Sequence, residues 1–207
     1  MSYMRNIKVW GLAFSAMFLI SGLAVASASA HEWTLNGAPI TTAVATTGSG
    51  KLTLTDTNGF FGSTVSVTCT GTTTGTAGPG AVDTTSTVTV SSCTTDEGTC
   101  GSPSATAVDL PWKTELSTVN GVVRDTIRAD GNGQPGYAVT CTVGGFRITD
   151  TCKSERGQPK VTLNTSPVPI EFDAESGTAD CTNGGAGAGH VRGSLTVSSK
   201  SGTLTAD

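Results

Sequence analysis

Apolar and polar residues alternate on both sides of Asn120-Gly121, inside a stretch from Pro111 to Cys152 that carries the clearest period-two pattern of the chain. Asn-Gly accepts the positive φ values of a type I′ turn, so the pattern predicts a hairpin with a two-residue loop. In that register Val119 faces Val122, Ser117 faces Arg124, Leu116 faces Asp125 and Thr114 faces Ile127. One face then carries Trp112, Leu116, Val123 and Ile127, and the other Lys113, Glu115, Arg124 and Arg128. A slip of one residue would exchange the two faces, so their clean segregation fixes the register. Glu115 has the two arginines as diagonal neighbours on the solvated side, each contact worth about 0.2–1 kcal/mol. Asp125 breaks the rule, because it is an acid on the apolar face.

A second hairpin, Tyr137 to Cys152, turns at Gly144-Gly145 and places Val143 opposite Phe146, Cys141 opposite Ile148, Val139 opposite Asp150 and Tyr137 opposite Cys152. Cys141 and Cys152 share its apolar face but stand four residues apart along the ladder. That is roughly 13 Å, beyond the roughly 7 Å Cα separation that a disulfide spans, so each must reach a cysteine elsewhere. The same alternation recurs at Trp33 and Leu35 before Asn36-Gly37, at Leu52 and Leu54, at Val65, Val67 and Cys69, and at Val88 and Val90. Later strands are predicted at 161–163, at 168–172, where Pro167 and Pro169 mark a sheet edge, and at 191–197. The segments 71–80 and 130–136 read as loops, and the Gly-rich 184–189 as a turn or bulge without the context of a phosphate loop. No run of ten residues has helical periodicity. About ten to fourteen short strands predict an all-β fold: an antiparallel β-sandwich of Greek-key type, or a barrel if the sheet closes.

Residues 1–30 read as a secretory signal peptide. Arg5 and Lys8 supply its positive start, Leu12 to Val25 its apolar core and Ala28-Ser29-Ala30 its cleavage site. The remaining residues 31–207 then form a single secreted β domain with no later stretch apolar enough to span a bilayer. Six cysteines, Cys69, Cys93, Cys100, Cys141, Cys152 and Cys181, all follow the signal and predict three disulfides, with Cys93 to Cys100 as the natural local staple. The formal charge of −4 becomes about −6 once Arg5 and Lys8 leave, and charged residues form no basic cluster. Nucleic acid and anionic membrane are therefore excluded as partners.

Candidate chemistry is sparse. No CxxC pair and only two histidines argue against zinc. His31, at the mature N-terminus, and His190 could together hold copper through imidazole and amine nitrogens, the histidine brace of an oxidative polysaccharide-degrading enzyme. Asp125 and Asp150, both on apolar faces, are the acids to inspect as a glycosidase pair. Asp130, Asn132 and Gln134 offer alternating oxygens, but Pro135 and Cys141 occupy the positions where a calcium loop needs glycine and an acid. No GxSxG elbow is present.

The order EWTLNGAPI (32–40), LTLTDTN (52–58), VTCTG (67–71), LPWKTEL (110–116), VRDTI (123–127), PGYAVTCTV (135–143) and DTC (150–152), closed by Cys181 and GGAGAG, resembles a group of uncharacterised secreted bacterial β proteins with six cysteines. The resemblance covers nearly all of residues 31–207 and implies an exported, disulfide-containing β domain. It brings no catalytic residue, ligand or cofactor. The sequence thus points to an extracellular structural or interaction domain with an unidentified extracellular partner and no cofactor, or alternatively to a secreted carbohydrate-active enzyme using an acid pair or copper.

Overall fold

The computed structural model describes residues 31–59, 62–95, 98, 100–119, 121–128, 133–154, 159–162, 167–172 and 178–207. The export signal expected at 1–30, Asn120 of the first expected turn, and Asp130 and Asn132 of the expected oxygen-rich loop lie outside the described residues. Among the described residues the chain is all β and contains no helix. Its strands are β1 (Trp33–Leu35), β2 (Ala38–Pro39), β3 (Val44–Asp56), β4 (Val65–Ala77), β5 (Val82–Thr95), β6 (Gly101–Val108), β7 (Trp112–Val119) and β8 (Val122–Arg128). They continue with β9 (Gly136–Val143), β10 (Phe146–Lys153), β11 (Pro159–Thr162), β12 (Val168–Phe172), β13 (Thr178–Cys181), β14 (Gly185–Ser198) and β15 (Leu204–Ala206).

Twelve strands make one antiparallel sheet in the order β12-β11-β8-β7-β5-β4-β3-β14-β13-β10-β9-β6, and β12 pairs again with β14. The second pairing runs from Val168 opposite Val197 to Phe172 opposite Gly193. Eight strands therefore return on themselves as a ring, while β13, β10, β9 and β6 leave the first half of β14 as an open half-barrel. The branch is possible because β14 is long: its start pairs with β13 and its end with β12 along one edge, and β3 follows nearly its whole other edge. A small sheet, β15-β1-β2, brings the two ends of the described chain together and buries Trp33, Leu204 and Ala206.

Both hairpins adopt the register that their alternation predicts. Val119 faces Val122, Leu116 faces Asp125 and Thr114 faces Ile127 in the first. Val143 faces Phe146, Val139 faces Asp150 and Tyr137 faces Cys152 in the second, with φ of 57° and 87° at Gly144 and Gly145. Asn36-Gly37 likewise turns β1 into β2.

Four expectations change. Segment 71–77 is strand rather than loop, and only 78–80 turn the chain. Of the glycines that suggested a loop, Gly75 stands where a neighbouring backbone is too close for a side chain: a Cβ there would lie 1.8 Å from the Thr84 carbonyl oxygen. The strand at 168–172 is no edge, because β14 and β11 flank it; β11 begins pairing only at Ile170, one position past Pro169. Cys93 does not bridge to Cys100. The bonds are Cys69 to Cys93, Cys100 to Cys141 and Cys152 to Cys181, with Cα separations of 4.1, 4.8 and 4.0 Å, so each joins neighbouring strands instead of closing a short loop. Among the described residues fifteen strands exceed the expected range, because short terminal segments pair with each other.

The inward residues of the long strands β3, β4 and β14 feed two cores. One gathers Leu54, Val67, Tyr137, Val139 and Val191 around all three disulfides in the half-barrel; the other gathers Trp33, Ile40, Leu116, Val168, Ile170 and Leu204 in the ring. The outward positions are mostly threonine and serine, which pair across strands: Thr53 with Thr68 at 2.8 Å, Thr55 with Ser66 at 3.0 Å and Thr74 with Thr87 at 2.7 Å. Threonine suits this surface because its methyl group packs on the pleat while its hydroxyl meets a cross-strand partner.

Candidate functional site

The alternation that buries Leu52 and Leu54 in β3 continues to Asp56, the strand's last residue, which is only 6% exposed. Asp150 occupies an equivalent inward place in β10, opposite Val139, and is 3% exposed. The ends of β3 and β10 bring these acids together beside the Cys152–Cys181 bond, with carboxylate oxygens and sulfurs all within 4.8 Å of one another. Two buried acids in contact cannot both ionise at ordinary cost.

Their surroundings decide which keeps the proton. Asp150 Oδ1 accepts hydrogen bonds from the Thr182 hydroxyl at 2.6 Å and the Asn183 backbone N–H at 3.0 Å, whereas Asp56 Oδ1 accepts one from the Asn58 N–H at 3.0 Å. Burial, then the hydrogen bond and charge of Asp150, push the Asp56 carboxyl up to about 6. Burial also pushes Asp150 upward, but the hydrogen bonds from Asp56, Thr182 and the Asn183 and Thr151 backbone outweigh it and hold that carboxyl below its ordinary value. The Oδ2 atoms of both acids are buried without another donor. A single proton on Asp56, donated to Asp150, satisfies both. Tyr137 closes the site from below: its hydroxyl lies 3.1 Å from the Thr55 carbonyl and 3.2 Å from the His190 carbonyl, and burial followed by the Asp56 charge holds it well above the usual tyrosine range.

The arrangement stores a proton but leaves little room for chemistry. The adjoining space, bounded by Leu54, Gly59, Val65 and Val139, measures about 10 Å³, about that of one water. A glycosidase needs a sugar between its two acids, with the carboxyls about 5–9.5 Å apart. The sulfurs of Cys152 and Cys181 are bonded to each other, so the cluster presents no thiolate to a metal. Two carboxylates alone fall short of the six to eight oxygens of a calcium site.

The sequence-derived candidates are dispersed. Asp125, wholly buried, lies under the β7–β8 hairpin opposite Leu116, and the Leu116 N–H bonds to Ala81 at the start of β5, the end of the long strands remote from Asp56. Asp125 and Asp150 therefore do not form a pair. His31 is likewise at the ring end, where Nδ1–H donates to the Asp207 carbonyl at 2.8 Å and Nε2 accepts from the Thr118 hydroxyl. His190 pairs with Thr55 near the other end of β3, about 36 Å from Val44 at the ring end of that strand at about 3.3 Å per residue. The two histidines are not brought together. Asp56 was missed by sequence reasoning, although extending the Leu52 and Leu54 alternation by one step points to an acid on a buried face. No protein-family model matches the chain, and no similar curated protein or solved structure was found.

Proposed function

We propose that the protein is a secreted, non-enzymatic β domain serving as a durable extracellular structural or interaction module, exported by residues 1–30. The observation that carries this reading is the placement of the three disulfides. All of them fasten neighbouring strands around one core: Cys100–Cys141 and Cys152–Cys181 within the open half-barrel, and Cys69–Cys93 between β4 and β5, past the rungs that β5 shares with β7. Covalent links between neighbouring strands are useful where proteases are present and thiols are oxidised. The outer faces of β14, β3, β4 and β5 support it further. Ser198, Thr47, Thr74 and Thr87 form one continuous row of hydroxyl residues, and Thr196, Ser49, Thr72 and Thr89 form the next. Such a face is well hydrated and nearly uncharged, suited to long persistence in solution or in a matrix.

The reading predicts that the oxidised protein survives prolonged digestion by a broad-specificity protease and is cleaved rapidly once reduced. It also predicts no release of sugar from a panel of polysaccharides. Hydrolysis that disappears in Asp56→Asn or Asp150→Asn would overturn it in favour of an enzyme.

A further inference from the structure

Between the two cores, at the waist of the sheet, lies a cavity of about 90 Å³. Its walls are apolar: Leu52, Leu54, Val90, Phe172, Val191 and Leu195. The polar atoms of its aromatic lining are already committed, Trp112 Nε1–H donating to the Val108 carbonyl at 2.8 Å and the Tyr137 hydroxyl to the Thr55 and His190 carbonyls. The other hydroxyls of the lining are those of Thr73, Thr85 and Thr106, and no charged side chain belongs to it.

The wall has a seam. β5 pairs with β7 only from Val82 to Thr85, and β6 pairs only with β9. Beyond Thr85, β5 and β6 run close together without a hydrogen-bonded ladder between them among the described residues. Val88 and Val90 on one side and Ala105 to Ala107 on the other line the cavity at this seam. Strands held by packing alone separate more readily than laddered ones, so the seam is a route inward.

We propose that the waist cavity is a binding site for a small uncharged hydrophobic molecule, a single ring or a short branched alkyl group, admitted between β5 and β6. An apolar void of this order stays dry and gains contacts when an apolar guest fills it. A charged guest would lose its hydration and find no counter-charge among the lining residues. The proposal goes beyond the scaffold reading, which stands whether or not the cavity takes a guest.

The test is a titration of the disulfide-intact, methyl-labelled protein with toluene, followed by NMR. Saturable shifts are expected at the methyl groups of Leu52, Leu54, Val90 and Leu195, with those of Val168 and Leu204 unmoved. Benzoate, the same ring with a carboxylate, should leave all of them in place. Filling the void with Ala105→Leu should abolish the toluene shifts, and Val90→Phe serves as an independent filler should the first variant not fold. Absence of saturable shifts, shifts that persist in a folded filler variant, or benzoate binding as well as toluene would each overturn the proposal. None of these outcomes bears on protease resistance, so failure here and failure of the scaffold reading are distinguishable.

Discussion

Asp56 titrates near 6 in the folded chain against 3.8 for the free side chain, so the folded state binds its proton more tightly than the unfolded state does. The stability it contributes is complete below pH 3.8 and is lost as pH rises through 6. Asp150 runs the other way: its lowered carboxyl contributes stability above the ordinary aspartate value that is lost on acidification. The wild type should therefore lose thermal stability as pH rises from about 4 through about 6. Asp56→Asn keeps the Oδ1 acceptor for Asn58 and donates permanently to Asp150, so it should flatten this slope and be more stable by about 1–3 kcal/mol at pH 8. Equal slopes for the two proteins would show that the acids do not share a proton. Gly193 gives a second residue-scale expectation. Its φ is 127°, and a Cβ there would lie 2.2 Å from the Lys51 carbonyl oxygen, at the rung where β12, β14 and β3 meet. Gly193→Ala should cost at least about 2 kcal/mol in denaturant unfolding; a neutral result would mean that the three strands do not approach so closely.

At the scale of elements, the hairpins were legible because their information is local: turn residues and alternating side chains lie within a few positions of one another. Val139 opposite Asp150 could be read directly, and so could the inability of Cys141 to reach Cys152. Which distant cysteine each finds depends on strand order, which is not written in local pattern, and the appeal of a Cys93–Cys100 loop came from proximity in sequence alone. The disulfides differ in what they support. β4 and β5 share a long ladder besides Cys69–Cys93, whereas β10 and β13 share only the rungs Cys152–Cys181 and Lys153–Asp180. Removing either bond by paired alanine substitutions should lower stability by about 2–4 kcal/mol. Hydrogen exchange should separate them: the amides of Ala179 to Cys181 lose protection without Cys152–Cys181, while those of β4 keep theirs without Cys69–Cys93. Retained protection in β13 would show that the sheet holds that strand without the bond.

For the whole molecule, the all-β class and the option of a partly closed barrel followed from period-two patterning and the absence of helical periodicity, but which eight strands close and the division into two cores did not. Both arise from long-range choices: β14 serving two partners on one edge, and β12 folding back to it. The waist cavity was equally invisible, since its lining comes from residues as distant as Leu52 and Leu195. The acid pair was half legible, Asp150 by its place on an apolar face and Asp56 only once β3 and β10 are set side by side. Three cross-strand disulfides gathered around one core are the central feature of the fold. Mass mapping of unreduced peptides from the protein recovered from its natural source tests this most directly. The predicted result is complete pairing of Cys69 with Cys93, Cys100 with Cys141 and Cys152 with Cys181. A Cys93–Cys100 bond, or free thiols in the recovered protein, would contradict it.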